Sequence, residues 1–254
     1  MSVGTAIILA AGRGSRMGSE TSSKPKCLTT LAGRTLLECH IAALRAAGIK
    51  KVILVGGYSI ESLSSSGDQL LENPNWKETN MVSTLACAYR ILEQETCVVS
   101  YSDIVYHPKI IHKLRICREN IAVIYDRMWE SLWRLRFNDP LSDAETFKVK
   151  NGRLTNIGQR TNDIKQIDGQ YIGVFLLSPK GWSTILKHLN TLPNKIRKST
   201  DVTALLQRLI EQHVEIVCYP TDGKWCEVDT QKDRDLYRAQ LDNQVHAWAH
   251  DWRW

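Results

Sequence analysis

The sequence predicts an α/β fold built on a mixed, mainly parallel sheet with an inserted β-hairpin. Three observations carry this. Short continuous apolar runs alternate with segments of helical period through the first half, the rhythm of right-handed βαβ units. Asn151-Gly152, set between alternating segments, is a two-residue hairpin signal that interrupts the rhythm. Buried strands and amphipathic helices then resume.

Taken in order, GTAIILAA (4–11) reads as a strand covered on both faces. TLLECHIAALRAAG (35–48) carries Leu36, Leu37, His40, Ile41 and Leu44 as a helical stripe and stops at Gly48. KKVILVGGY (50–58), NMVSTLACAYRILEQ (80–94) and TCVVSYSDIVY (96–106) read as strand, helix and strand. IAVIYDRMW (121–129) closes the first series, and residues 129–160 are aromatic and charged up to the hairpin in FKVKNGRLTNI (147–157). GQYIGVFLLSP (169–179) is a buried strand; GWSTILKHLNTL (181–192) and DVTALLQRLIEQ (201–212) are helices, the second capped by Asp201. VEIVCYP (214–220) and KWCEVDT (224–230) read as strands, and residues 231–254 as a terminal helix or tail. Without repeats, low complexity or a linker, the expectation is one domain over 1–254. Residues 1–125 form a nucleotide-binding half, 126–235 an acceptor-binding half with a second metal ligand, and 236–254 a C-terminal helix or tail.

The composition narrows the function classes. No apolar run reaches the ~18 residues of a membrane span, and AIILAA lacks a basic region before it, so the expectation is a cytoplasmic protein away from membranes. Seven cysteines without CxxC spacing read as reduced, buried thiols, not a disulfide frame or zinc site. A net charge of +6 spread along the chain suits small anions and gives nucleic acid no basic arm.

The loop after the first strand, AAGRGSRMGSETSSKPK, is the natural ligand position of a parallel sheet. Gly12 and Gly14 let backbone N–H groups approach an anion. A dinucleotide would require an acid at the end of the second strand, but VILVGGY ends in glycines. No Gly-Lys-Ser/Thr follows, so a Walker A loop is excluded. Arg13, Arg16, Lys24 and Lys26 supply more positive charge than a pyrophosphate needs, which suits a triphosphate. A solvated basic turn is the competing reading.

LAAGRGSRMG followed by KPKCL resembles the nucleotidyltransferase family signature, G-x-G-x-R-[ML] with a downstream P-K. The resemblance implies a three-layer α/β/α, Rossmann-like domain that joins an NTP to a phosphorylated acceptor. It implies that Arg16 and Lys26 are catalytic contacts to the phosphates, and that the stretch Leu9, Ala10, Ala11, Gly12, Arg13 and Gly14 holds base and triphosphate. It also assigns Mg²⁺ to Asp103, at the end of the SYSDIVY strand, and Asp229, with Glu227 as a third contributor. Local reading of Asp103 leaves a helix cap or surface ion pair open. Ser102 and Gly57 join the expected nucleotide site, beside Gly56 and Tyr58.

Asn80 and Ser83, in WKETNMVSTLACAY, resemble the phosphocholine cytidylyltransferase branch, which uses CTP, and are expected near nucleotide and acceptor; Asn80 also reads as an N-cap. The Gly-Thr-Ala and Glu-Lys-Pro stretches of sugar-phosphate members are absent. Trp129 and Trp133, four apart, read either as core packing or as walls for a quaternary ammonium. Arg134 and Arg136 favour an acceptor with a second anionic group, and Tyr171 completes the expected acceptor set with Lys26. This stretch is similar to cytidylyltransferases of phosphoglutamine and of small phosphonates, including phosphonoformate and 2-aminoethylphosphonate. A UTP-dependent sugar-phosphate transferase and an inactive nucleotide-binding domain remain alternatives. The tryptophan-rich tail VHAWAHDWRW reads as a face docked on the body or on a second subunit of a homodimer.

Overall fold

The first predicted strand is β1 (Thr5–Ala10), with all six residues buried in the computed structural model, which describes residues 2–242 and 247–254. A two-residue ladder, β2 (Thr30–Leu31) with β3 (Arg34–Thr35), leads into α1 (Leu36–Ala46). Thr35 starts that helix with a capping box: its hydroxyl accepts from the Glu38 amide at 3.1 Å while the Glu38 carboxylate accepts from the Thr35 amide at 2.7 Å. β4 (Lys51–Gly56) and β5 (Gln69–Glu72) follow, then α2 (Met81–Ala86), α3 (Tyr89–Leu92), β6 (Cys97–Tyr101) and the short β7 (Ile104–Tyr106). α4 (Pro108–Arg115), β8 (Ile121–Asp126) and α5 (Trp129–Arg136) precede the hairpin β9 (Glu145–Lys150)–β10 (Arg153–Arg160). Asn151 and Gly152 both take positive φ, 53° and 74°, as that hairpin signal requires. β11 (Gln170–Leu177), α6 (Pro179–Thr191), α7 (Asn194–Ser199), α8 (Val202–Glu211), β12 (Val217–Thr221), β13 (Trp225–Glu227) and α9 (Gln231–Asp242) complete the chain.

One nine-stranded sheet runs β5-β4-β1-β6-β11-β8-β12-β10-β9. β5, β4, β1 and β6 are parallel, β11 lies antiparallel between β6 and β8, and β12 is parallel to β8. Two hydrophobic clusters cover its faces. One gathers α1, α4, α5 and the β7–β13 ladder, the other α2, α6 and α8. The expected three-layer α/β/α arrangement with a mixed, mainly parallel sheet is therefore present.

β5 escaped the sequence reading because it is a four-residue, half-exposed strand at the sheet edge, without an alternating or continuous apolar pattern. The helix expected over 80–94 is split between Ala86 and Tyr89. The expected 224–230 strand ends at Glu227. All seven cysteines are free, six buried and Cys87 half-buried. No helix among the described residues is long and apolar enough to cross a membrane.

The described tail, 247–254, docks on the chain's own body. Trp248 stacks on Tyr237 at 5.4 Å, Trp252 is buried, and His250 Nε2 lies 3.0 Å from the buried Asp126 carboxylate. Asp126 also accepts from the Gly223 amide and the Trp225 indole, both at 2.9 Å, so the tail and β13 share one buried acceptor. Val245 and His246 of the expected aromatic tail lie outside the described residues.

Candidate active site

At the C-terminal end of β1 the chain turns through Gly14, whose φ of +72° is left-handed, into a 3₁₀ turn over Ser15–Thr21. The Thr21 hydroxyl donates to the Gly14 carbonyl at 2.9 Å and closes this turn. A Cβ on Gly14 would lie 2.5 Å from the Cβ of Lys26. Glycine is needed twice here, for the backbone conformation and for the path of the Lys26 side chain. Gly14→Ala is expected to cost about 1–3 kcal/mol of local strain and to displace Lys26. Turnover falls at least tenfold in steady-state assays while the melting temperature drops by only a few degrees; an unchanged rate removes the constraint.

Asp103 follows β6, and Glu227 and Asp229 follow one another around the end of β13. They meet because β13 pairs antiparallel with β7, Glu227 opposite Ile104, and the Val228 amide donates to the Asp103 carbonyl at 2.8 Å. One oxygen from each of the three carboxylates falls within a 4.8 Å cluster. An all-oxygen, carboxylate-rich set suits a hard divalent cation such as Mg²⁺. Asp103 Oδ1 is buried without a hydrogen-bond partner among the described residues, an acceptor left for such an ion. The residues present fit the metal.

Three cations serve these carboxylates. Lys26 Nζ donates to Asp103 Oδ2 at 2.9 Å and to Asp229 Oδ1 at 2.6 Å. Arg16, largely exposed, donates to Asp229 Oδ1 at 2.9 Å. Arg136, with a side chain 1% exposed, reaches Glu227 at 3.1 Å, Asp229 at 3.3 Å and Asp233 at 3.1 Å. Asp233 in turn accepts from the amides of Asp229 at 3.1 Å and Thr230 at 2.9 Å, fastening the start of α9 beneath the site.

Burial opposes the charge on Lys26, yet Asp103, Asp229 and Glu227 together hold its pKa above the usual lysine value. Burial also opposes ionisation of Asp229, but Lys26, Arg16 and Arg136 hold it below the usual carboxylate range. Glu227 goes the other way: burial and the neighbouring Asp229 charge outweigh Arg136 and push it up to about 7. A carboxyl whose pKa is raised on folding stabilises the fold below its unfolded value, and that contribution is lost as pH rises through the folded one. In metal-free protein, the stability of wild type relative to Glu227→Gln is therefore expected to fall by roughly 2 kcal/mol between about pH 4.5 and pH 7. Urea titrations of both proteins across that range check it; a flat difference refutes it.

Two cavities meet at the carboxylates. One, of about 160 Å³, is lined by Leu9, Gly12, Gly14, Arg16, Lys26, Ser102 and Asp103 among others. The second, of about 270 Å³, shares Arg16, Met81, Tyr101 and Asp229 with the first and extends to the β9–β10 hairpin and the N-terminus of α8.

Residues 6–141, just over half of the chain, match the model of the MobA-like NTP transferase domain. The chain belongs to that family. Over 247 residues it is 34% identical to a CTP:phosphoglutamine cytidylyltransferase of Campylobacter jejuni, covering 91% of this chain and 98% of that one. It is 33% identical over 118 residues to a 2-aminoethylphosphonate cytidylyltransferase of Lancefieldella rimae, covering 44% of this chain and 48% of that one. Among solved structures, the inositol-1-phosphate CTP transferase from T. maritima superposes with a TM-score of 0.74 at 19% identity, over 97% of this chain and 99% of that one. The first and the family match identify an enzyme of the nucleotidyltransferase type, as the resemblance implied.

Within this NTP transferase the predicted site residues divide. Leu9, Gly12, Gly14, Arg16, Lys26, Ser102, Asp103 and Asp229 come together around the smaller cavity, and Glu227, Trp133 and Tyr171 line the larger one. Ala10 is buried in the sheet; Ala11 uses its carbonyl to accept from the Tyr58 amide at 3.0 Å, and Arg13 stacks over the Tyr58 ring at 5.5 Å. Gly57 sits where a Cβ would meet Trp76 at 2.7 Å. Asn80 is the N-cap of α2, accepting from the Met81 amide at 2.7 Å and donating to Ser199 at 3.2 Å. Ser83 lines a separate cavity with Asn73, Thr79 and Arg197. The helical turn of α2 that Asn80 starts presents Met81, not Ser83, to the site cavities.

Two further residues expected around the acceptor are not in the lining of the larger cavity. Trp129 is buried in the core, edge-on to Trp133 at 6.0 Å, and does not line the cavity. Arg136 has its guanidinium turned inward onto Glu227, Asp229 and Asp233. Sequence reasoning missed Asp233, Arg160, Glu145, Gln170 and Asp201 as site-forming groups; only the Thr230-x-x-Asp233 capping spacing offered a signal for the first.

Proposed function

We propose that the chain is an Mg²⁺-dependent cytidylyltransferase that moves CMP from CTP to a small phosphate or phosphonate acceptor, of the phosphoglutamine, aminoethylphosphonate, phosphonoformate or phosphocholine type. The juxtaposition of Lys26 and Arg16 with Asp103, Glu227 and Asp229, where two adjoining cavities meet, carries the reading. The relatives' named activities support it. Residues 1–125 would hold the nucleotide and 126–235 the acceptor and the second metal ligand, with the tail bracing the second half.

An oxygen of the acceptor's phosphate or phosphonate attacks the α-phosphorus, the bond to the β-phosphate oxygen breaks, and pyrophosphate leaves. Asp103 and Asp229, with Glu227, would hold Mg²⁺, which supplies Lewis-acid polarisation of the phosphate oxygens. Arg16 swings readily because it is exposed, and exchanges its carboxylate for a phosphate oxygen. Lys26 is held in place by Asp103 and Asp229, so its ammonium offers fixed positive charge where negative charge develops. The glycine loop offers backbone N–H groups to the triphosphate. Holding two repelling anions in register is the main contribution, and no protein nucleophile is needed.

Pyrophosphate release measured with each of four NTPs against phosphocholine, aminoethylphosphonate, phosphonoformate, phosphoglutamine and sugar phosphates, with and without Mg²⁺, tests this. Activity confined to CTP, Mg²⁺ and a small phosphate or phosphonate is expected. Turnover only with UTP and a sugar phosphate overturns it.

A further inference from the structure

The larger cavity carries charges that CMP transfer does not use. Asp143, Glu145 and Asp201 line it together with Arg160, all supplied by the hairpin region and the start of α8 and not by the phosphate loop. None of the four makes an ion pair within 4.0 Å among the described residues, although Glu145 and Arg160 are cross-strand partners. Their existing bonds hold them in place without neutralising them. Asp143 accepts from the Trp133 indole at 3.2 Å, and Asp201 Oδ1 caps α8 through the Ala204 amide at 2.7 Å. Arg160 donates to the Ser142 carbonyl at 2.7 Å, while buried Gln170 clasps the Glu145 backbone, donating to its carbonyl at 2.5 Å. The Glu145 carboxylate has no hydrogen bond among the described residues. The hydroxyl of Tyr171, in the same lining, is buried and has no partner there either.

Carboxylates that outnumber the cations beside them in a half-buried cavity, and pair with none of them, raise one another's energy and take a cation that can donate hydrogen bonds. Burial and Asp201 push the Glu145 carboxyl up, against Arg160, with Asp143 adding to the rise. A quaternary ammonium has no N–H to give three carboxylates and leaves Arg160 facing nothing. A primary ammonium with an adjacent carboxylate answers both signs at once. Resting on the cytidylyltransferase reading, we infer that the acceptor is an α-amino acid bearing its phosphate on the side chain. Its ammonium is held by Glu145 and Asp201, with Asp143 beside them, and its carboxylate by Arg160. Phosphoglutamine is one such molecule.

The test uses full-length protein with CTP and Mg²⁺ and four acceptors: phosphoglutamine, with both charges; aminoethylphosphonate, with the amine alone; phosphonoformate, with the carboxylate alone; and phosphocholine, whose cation lacks N–H. Wild type is expected to prefer phosphoglutamine by at least a hundredfold in kcat/KM. Arg160→Gln lowers kcat/KM for phosphoglutamine at least tenfold more than for aminoethylphosphonate. Glu145→Gln and Asp201→Asn lower it at least tenfold more for phosphoglutamine than for phosphonoformate; asparagine retains the helix cap. Thermal melts of the three variants match wild type. Equal losses on every acceptor, or a preference for phosphocholine, overturn the inference. Calorimetric titration of phosphoglutamine without CTP separates it from the transfer reading. Binding that weakens in Arg160→Gln and Glu145→Gln without any CTP-dependent pyrophosphate release sinks the transfer reading alone. Release that ignores both charges sinks this one alone.

Discussion

Asp103→Asn is expected to lower turnover by about a thousandfold, roughly 4 kcal/mol of transition-state stabilisation, while the melting temperature stays within a few degrees of wild type. The side chain is 25% exposed, so the substitution leaves no deeply buried orphan charge. Its amide oxygen can still accept from Lys26, which keeps that cation in place. What is lost is the carboxylate charge and the free buried Oδ1, the two properties that suit it to a divalent ion. Asp229→Asn should lose activity to a similar degree but also stability, because Lys26, Arg16 and Arg136 all bond this carboxylate and two of these side chains are buried. Pyrophosphate release at saturating CTP and Mg²⁺, with thermal melts of both variants, distinguishes the pair. Near-normal rates in Asp103→Asn refute the metal role.

Arg136→Met is expected to destabilise the protein by about 3–5 kcal/mol, the range for removing one side of a buried ion pair. Its guanidinium is the buried counter-charge shared by Glu227, Asp229 and Asp233, and it lies over the rings of Trp133 and Phe137 at 5.4 and 5.0 Å. Methionine keeps the apolar stem but takes from Glu227 and Asp233 their ion-pair partner and leaves Asp229 with Lys26 and Arg16. Arg136→Lys should recover little, because one ammonium cannot span three carboxylates with the planar fork of arginine. Saturating Mg²⁺ should recover part of the loss in Arg136→Met by neutralising two of the same groups. Urea unfolding with and without Mg²⁺ reads both effects; an unfolding free energy within 1 kcal/mol of wild type, about twice RT, would show that these carboxylates need no such partner.

The parts of the fold that were legible are those written in local pattern. β1 and β4 are continuous apolar runs, α1 carries its own cap and stripe, and Asn151-Gly152 sets its turn by backbone preference alone. β5 was hidden because an edge strand with one neighbour needs no periodicity. In the site, the glycine turn with Arg16 and Lys26 was legible as a cationic loop after the first strand, since short-range backbone freedom and clustered charge are local properties. The partners of Arg136 were not legible in this way. Its position in a helix next to tryptophans says nothing about which way the guanidinium turns, and the carboxylates that decide it are 91 to 97 residues away in sequence.

By itself, then, the sequence determined the alternation that builds a mainly parallel sheet and the cationic glycine turn at its edge, because both follow from residues that touch their neighbours in the chain. The tertiary structure alone decided that β13 lies along β7, which brings Glu227 and Asp229 to Asp103, and that the far side of the hairpin places Glu145 and Arg160 beside Asp201. Contacts of that range depend on how the whole sheet is ordered, and no local pattern encodes the partner of a single charged side chain.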